Sequence, residues 1–281
     1  MLTRHADSAG FLAAARPALE IEEAANNLIL GLPLRLLRQP ETVATPPYFA
    51  TVARDGRLAA AAVMTPPYNA IVWAAQPGAQ AELGLIADDL YRDRWPVPGV
   101  GARAPAAEEF CEAWQARAGG QVSLVGHRRI YRLDRVVAPA LPPGEARLAE
   151  HDDTALIASW MKGFYRDAGM RDPHEAWELM ARKRVEAGDA LLWTRDGAPV
   201  SMAARSRLLP RGAVVGMVYT PPEQRGQGYA SAVVAALSQR LLDAGNEYCA
   251  LYTDLANPTS NSIYQKIGYA PVSDAVEYAF G

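Results

Sequence analysis

The chain has 281 residues, of which 50% are hydrophobic and 21% are charged. This composition excludes a largely disordered protein, and the length suits two domains of about 140 residues each better than one. The formal net charge of −3 excludes a strong positive potential that would attract nucleic acid or an anionic membrane. The two widely spaced cysteines exclude a disulfide scaffold. No stretch approaches the ~20 apolar residues of a membrane span, and no secretory signal is visible, so we expect a cytoplasmic location.

The first half is predicted to contain a β-hairpin, a helix and a long strand. Asp55-Gly56 lies between two apolar runs, which is typical of a tight hairpin turn. A helical stretch over 108–118 leads through two glycines into a strand over 122–133. Residues 136–145, VVAPALPPGE, hold three prolines and a glycine and cannot continue a helix or a central strand. We therefore predict domains over 1–138 and 146–281, with a linker at 139–145.

The second half alternates helices and strands. Its hairpin, around Asp196-Gly197, repeats the Asp-Gly turn of the first half, so the first half is predicted to be a degenerate copy or an accessory domain. The predicted elements are helices over 154–165 and 173–187, strands over 190–194, 200–208 and 213–219, a helix over 231–244, and a strand over 248–253. Strand, helix and strand at this spacing predict a parallel pair within a mixed, mostly antiparallel sheet with helices on both faces, an α/β (α+β) fold.

A glycine-rich loop over 220–231 joins the buried strand to the long helix. Its glycines allow a ligand to approach the backbone, and the free N–H groups at the start of the helix point to the same place. The combination is typical of an anion site, most naturally for phosphate.

Two stretches resemble motifs of the GNAT superfamily of acyl-CoA-dependent N-acetyltransferases. Residues 225–230, RGQGYA, are similar to its pyrophosphate loop, Arg/Gln-x-x-Gly-x-Gly/Ala. Residues 257–269, NPTSNSIYQKIGY, are similar to its Asn-x-x-Ala-x-x-Leu-Tyr-x-Lys-x-Gly-Phe stretch. The resemblance covers about residues 145–281 and implies an acetyl-CoA donor and a small-molecule or peptide amine as acceptor.

The resemblance also implies roles for individual residues. The pantetheine arm would be bound by the end of the strand, at Val218, Tyr219 and Thr220. The pyrophosphate would be bound by the backbone amides of Arg225, Gly226, Gln227, Gly228, Tyr229 and Ala230. Beyond the next strand, Asn257 and Asn261 would contact the donor, and Tyr264 would protonate the departing thiolate. Without the flanking motif, a core tyrosine of an amphipathic helix would be the favoured interpretation of Tyr264.

Several alternatives stay open. The strand before the loop lacks the carboxylate that some superfamily members carry, so the general base could be Asp254, Glu277, Glu223 or a water chain. For the same reason the rival function is a non-catalytic acyl-CoA sensor or scaffold. The acceptor could be a protein N-terminus or lysine, and homodimerisation is undecided. The four histidines have no metal-ligand spacing, so we expect no metal. The first half lacks both motifs, so we expect it to bind no acyl-CoA.

Overall fold

Both Asp-Gly pairs form the tight hairpin turns that the sequence predicts. Asp55 and Gly56 have φ angles of 50° and 74°, and Asp196 and Gly197 have φ angles of 50° and 79°. Positive φ at both central residues defines the two-residue turn whose twist matches that of paired strands. The flanking residues pair accordingly, Arg54 with Arg57 and Arg195 with Ala198.

The computed structural model describes residues 1–40, 43, 45–169 and 176–281. These residues form two compact units. The first comprises Met1–Ile130, Tyr252–Asn257 and Pro271–Gly281, and the second comprises Tyr131–Leu251 and Pro258–Ala270. The units are discontinuous in sequence, whereas the predicted domains are contiguous, because the last strand of the chain pairs within the first unit. Residues 135–144 contain no helix or strand.

Among the residues that the structure describes, the first unit holds four helices and the greater part of seven strands. In chain order they are β1 (Leu2–Arg4), α1 (Ser8–Leu19), α2 (Asn27–Arg38), β2 (Tyr48–Arg54), β3 (Arg57–Met64), β4 (Ala70–Ala74), α3 (Gln80–Arg92), β5 (Gly99–Ala102), α4 (Ala106–Ala118), β6 (Val122–Leu133) and the terminal strand β12 (Ala270–Phe280). The strand order is β1-β2-β3-β4-β5-β12-β6. The β4–β5 pair is parallel, and β12 lies antiparallel to β5 with Glu277 opposite Gly101.

Helices cover both faces of the first unit's sheet. Alternate residues of a strand point to opposite faces. Tyr48 and Ala50 of β2 accordingly join the core that includes Leu83 of α3 and Phe110 of α4. Phe49 points the other way and contacts Phe11 of α1, with ring centroids 5.5 Å apart.

Among the described residues, the second unit holds four helices and the greater part of five strands. They are β7 (Glu145–Leu148), α5 (Thr154–Asp167), α6 (Trp177–Glu186), β8 (Ala190–Arg195), β9 (Ala198–Leu208), β10 (Gly212–Tyr219), α7 (Tyr229–Asp243), β11 (Tyr248–Asp254) and α8 (Pro258–Ile267). The strand order is β11-β10-β9-β8-β7. The β10–β11 pair is parallel and the other pairs are antiparallel.

Two separate cores lie on the two faces of this sheet. Leu191 and Trp193 of β8 pack with α7 and α8, while Leu192 between them packs with α5 and α6. The predicted fold class, a mixed and mostly antiparallel α/β sheet with helices on both faces, is confirmed.

Two further predictions can be compared with the structure only over the described residues. The helix predicted over 173–187 is observed as Trp177–Glu186, and residues 173–175 lie outside the described ranges. Within those ranges, no helix has both the length and the apolar character needed to cross a bilayer.

Candidate functional site

A bulge in β10 changes which side chains face each core. Gly216 pairs with Ala204 of β9, and Tyr219 pairs with Met202. Three residues of advance along β10 therefore match only two along β9. The extra residue is accommodated at Met217, which has a φ of +51°. As a result, the side chains change faces along the strand: Val215 packs on the α7 side, whereas Met217 and Tyr219 pack on the α5 side.

The loop after β10 ends in an uncapped helix start. Gly226 and Gly228 have φ angles of +78° and +84°, a conformation that glycine adopts without strain. Gly228 is the N-cap residue of α7 and, having no side chain, makes no side-chain cap hydrogen bond to the first turn. The first backbone N–H groups of a helix have no partner within it and carry the positive end of its dipole. The loop therefore presents donors where a phosphate could bind.

Arg225, the first residue of the loop motif, is fixed on both sides. Its Nε donates to the carbonyl oxygen of Thr220 at 2.9 Å, and its Nη2 forms an ion pair with Asp167 of α5 at 2.5 Å. The hydrogen bond from Arg225 lowers the pKa of the Asp167 carboxyl. Sequence reasoning missed Asp167, because no local pattern links the end of α5 to a loop 58 positions later.

The end of β10 is anchored to β9 by a buried hydroxyl. Ser201 is fully buried, donates to the carbonyl oxygen of Tyr219 at 3.2 Å, and hydrogen-bonds the hydroxyl of Thr220 at 2.8 Å. The preceding residue, Val218, packs against the core formed by α7 and α8. The three residues predicted to bind pantetheine are therefore consecutive but have different surroundings.

A second arginine lies beside the loop. Arg195, at the end of β8, donates from Nη1 to the hydroxyl of Tyr229 at 3.0 Å and to Oε1 of Gln227 at 3.3 Å. Tyr229 in turn donates to Oε1 of Gln227 at 3.2 Å. Arg195 was not identified from the sequence. The sequence places Arg195 beside the predicted hairpin turn, but it does not indicate that Tyr229 and Gln227 are its hydrogen-bond partners.

Two polar residues of α8 are joined through a tyrosine of β6. The hydroxyl of Tyr131 donates to Oδ1 of Asn261 at 3.0 Å and accepts from Nε2 of Gln265 at 3.3 Å. Tyr131 is fully buried and, unlike the earlier residues of β6, belongs to the second unit together with α8. Its single hydroxyl hydrogen is donated to Asn261, so the side-chain carbonyl oxygen of Asn261 already accepts a hydrogen bond from within the protein.

Tyr264 lies in the core against α7 and contacts Tyr269 edge-on, with ring centroids 6.1 Å apart. Burial raises the pKa of its phenol to about 12, and a hydrogen bond with Ser260 partly opposes this. The phenol is therefore protonated at neutral pH and can donate a proton. Val218 packs against the same core.

The carboxylates considered as general bases lie in two settings. In the second unit, Glu223 is exposed in the short turn after β10. In the first unit, Asp254 and Glu277 both contact Arg128, at 2.9 Å and 3.6 Å. Glu277 also accepts from Nδ2 of Asn69 at 2.8 Å. Asn257 belongs to this unit too, where its N–H donates to the carbonyl oxygen of Asp254 at 3.0 Å.

In the part of the chain that the structure describes, no group of three or more histidine, cysteine, aspartate or glutamate side chains is arranged to hold a metal ion.

Comparison with known proteins agrees with this architecture. Residues 194–278 match the family model described as FR47-like protein. No curated protein matches the chain.

Three solved structures illustrate the likeness. An acetyltransferase of the GNAT family from Colwellia psychrerythraea is 12% identical, with a TM-score of 0.60 and coverage of 100% of both chains. A GCN5-related N-acetyltransferase from Sphaerobacter thermophilus is 17% identical, with a TM-score of 0.64 and coverage of 99% of this chain and 94% of that one. A tandem GNAT protein from the clavulanic acid biosynthesis pathway is 17% identical, with a TM-score of 0.60 and coverage of 99% and 97%.

At these identities the structures establish the fold. The chain has a GNAT fold that extends over both halves, and its FR47-like segment includes the glycine loop, α7, β11 and α8. The resemblance to the GNAT superfamily that the two motifs predict is confirmed.

Proposed function

We propose that this protein is an N-acetyltransferase that moves an acetyl group from acetyl-CoA to a primary amine. The observation that carries the proposal is the uncapped start of α7 behind two left-handed glycines, within a segment that matches the FR47-like model. The GNAT fold supports acyl transfer in general, because superfamily members use it for that chemistry. A small-molecule or peptide amine is the proposed acceptor, and the cytoplasm is the proposed location.

In the proposed reaction, the neutral amine attacks the thioester carbonyl carbon directly. A backbone N–H near Tyr219 would stabilise the oxyanion of the tetrahedral intermediate. The C–S bond then breaks, and Tyr264 would give its phenolic proton to the departing CoA thiolate. The proton lost by the amine passes to a base, for which Asp254, Glu277, Glu223 and a water chain are the candidates. Holding both reactants in one site contributes proximity, worth up to about 7–11 kcal/mol in well-oriented systems.

The donor site can be tested by calorimetric titration with acetyl-CoA. We expect binding to the wild type and none to Gly228→Glu, because the new carboxylate would repel a phosphate at a position where φ is +84°. Gly56→Glu is the matched control, since Gly56 has a φ of +74° in the first unit's hairpin with open space around it. It carries the same added charge and comparable backbone strain. Loss of binding in both variants would count against a specific effect of the loop.

Catalysis can be tested by measuring thiol release from acetyl-CoA with a panel of primary amines. Tyr264→Phe should lower kcat by about 10²–10⁴-fold, the usual contribution of a general acid, and leave donor affinity unchanged. Normal turnover by this variant would refute the role given to Tyr264.

The alternative is a non-catalytic acyl-CoA sensor or scaffold. It is favoured by the absence of a carboxylate from β10, Gly212–Tyr219, and by the shared contact of Asp254 and Glu277 with Arg128. Binding of acetyl-CoA without turnover of any amine would support this alternative. Turnover that depends on Tyr264 would exclude it.

A further inference from the structure

Arg195 is held at the positive end of a helix by neutral partners. Its guanidinium donates to the hydroxyl of Tyr229, the first residue of α7, and to the side-chain oxygen of Gln227 in the glycine loop. A cation is normally disfavoured at a helix N-terminus, because the helix dipole is positive there. The side chain is 46% exposed, so it could have extended into solvent on the other side of the hairpin.

The first unit contains the same arrangement with one difference. Arg54 precedes the Asp55-Gly56 turn just as Arg195 precedes Asp196-Gly197. Arg54 forms an ion pair at 2.5 Å with Glu82, which lies in the first turn of α3 and is 8% exposed. In the first unit, a helix-borne carboxylate therefore neutralises the hairpin arginine. The first turn of α7 contains no acidic residue, so the second unit provides no such partner from its helix.

The remaining charges near the loop leave Arg195 available to an anion. Arg225 already has a carboxylate partner in Asp167. Arg195 has an ion-pair contact with Asp196 at 3.5 Å, but that side chain is 92% exposed and is well screened by water. The Arg195 guanidinium thus contacts side chains of Tyr229, at the start of α7, and of Gln227, in the glycine loop, the two elements that carry the free N–H groups of the proposed anion site.

We propose that Arg195 binds a phosphate group of the donor and completes the anion site. The phosphate would be the anionic partner of Arg195, as Glu82 is the anionic partner of Arg54. The inference rests on the proposed donor site and assigns to it a residue that lies outside both sequence motifs. The phosphate could belong to the diphosphate of CoA or to its 3′-phosphate, since both are dianionic or polyanionic groups that a guanidinium fork binds well.

The test is calorimetric titration of wild type and Arg195→Gln with acetyl-CoA, acetyl-dephospho-CoA and acetyl-pantetheine. A charge-assisted hydrogen bond predicts about 10- to 100-fold weaker acetyl-CoA binding by Arg195→Gln, with acetyl-pantetheine unaffected. A penalty that persists with acetyl-dephospho-CoA assigns the contact to the diphosphate. A penalty that disappears with it assigns the contact to the 3′-phosphate.

Arg240→Gln is the matched control, because Arg240 is an exposed arginine in the last turn of the same helix. It should bind acetyl-CoA as the wild type does. Arg195→Lys keeps the charge without the guanidinium fork and should show an intermediate affinity, and it serves as the second variant should Arg195→Gln fail to fold.

Two results would overturn the assignment. One is acetyl-CoA binding by Arg195→Gln that equals that of the wild type. The other is an equal loss for acetyl-CoA and acetyl-pantetheine, which would indicate a structural effect. Failure of the donor site itself has a different signature, because the wild type would then not bind acetyl-CoA at all.

Discussion

The hydroxyl of Tyr131 donates its hydrogen to Oδ1 of Asn261 over 3.0 Å. Tyr131 lies in β6, outside the segment that matches the FR47-like model, whereas Asn261 lies in the second GNAT-like motif. The bond fixes which end of the Asn261 amide faces the protein and so directs the amide N–H groups elsewhere. Tyr131 is thus a positioning residue for a proposed donor contact.

We therefore expect Tyr131→Phe to weaken acetyl-CoA binding by about 3- to 10-fold without lowering kcat, as the loss of one neutral hydrogen bond of about 0.5–1.5 kcal/mol implies. Saturation kinetics and calorimetry would measure this. Tyr48→Phe is the matched control, since Tyr48 is also a buried tyrosine and donates to Asp89 in the first unit at 2.9 Å. It should lower stability and leave donor affinity unchanged. Unchanged affinity in Tyr131→Phe would remove Asn261 from the donor site.

Gly163, inside α5, lies against the phenol of Tyr219. A Cβ at this position would come within 2.5 Å of the Tyr219 hydroxyl. Alanine normally stabilises a helix interior by about 0.5–1 kcal/mol relative to glycine, but the steric conflict should dominate here. We expect Gly163→Ala to lower the free energy of unfolding by about 1–3 kcal/mol, a typical cost of overpacking.

Urea denaturation measures this effect, and Gly84→Ala in α3 provides the comparison. A Cβ at Gly84 would lie 3.6 Å from Arg117 Nη2, an ordinary contact, so this variant should be slightly stabilised. The same sign of change in both variants would show that the contact with Tyr219 does not restrict Gly163.

Local sequence patterns located most elements of the second half of the chain but missed α1, α2 and α3 of the first. The strand predicted over 122–133 is observed with those bounds, and both Asp-Gly turns were predicted because their backbone conformation depends on two adjacent residues. The helix predicted over 231–244 begins two residues earlier, at Tyr229. Apolar periodicity marks the buried face of a helix, whereas its first turn here is set by the left-handed conformation of Gly228.

Contacts between distant segments could not be predicted. Nothing in the residues around Glu277 indicates that β12 pairs with β5 across a separation of more than 170 positions. The partners of Arg225 and Arg195 depend likewise on sheet register and on where α5 ends. The two motifs identify the glycine loop and α8, but the side chains that hold them in place, Asp167, Ser201 and Tyr131, come from outside those motifs.

The first unit should bind no acetyl-CoA, because a carboxylate already occupies its corresponding loop. The N–H of Gly78, just before α3, donates to Oε1 of Glu109 at 2.8 Å, and Glu82 adds a negative charge in the first turn. A donor phosphate would meet both carboxylates. We expect calorimetry to give one site per chain.

The matched pair for this prediction is Gly78→Glu and Gly228→Glu, since the two glycines have φ angles of +81° and +84°. The first variant should retain the single site with unchanged affinity, and the second should lose it. Two sites in the wild type, or a loss of binding in Gly78→Glu, would contradict the prediction.

The stability of the protein in alkali should depend on Tyr264. Burial raises the pKa of its phenol to about 12 from the ordinary value of 10.0. Below pH 10 the phenol is protonated in both the folded and the unfolded chain, so it adds no pH dependence to stability there. Between pH 10 and 12 the unfolded chain ionises while the folded chain does not, which favours unfolding as the pH rises.

We therefore expect the free energy of unfolding to fall more steeply above pH 10 in the wild type than in Tyr264→Phe, by about 1 kcal/mol at pH 11 and up to about 3 kcal/mol above pH 12, at about 1.36 kcal/mol per unit of pKa shift. Urea denaturation of both proteins at pH 8, 10 and 11 measures the difference, and the other ionising groups cancel because both proteins carry them. Parallel curves would show that the Tyr264 phenol ionises as readily in the folded protein as in the unfolded chain. In that case its pKa would be close to the ordinary value of 10.0, and the raised pKa attributed to burial of the phenol would be wrong.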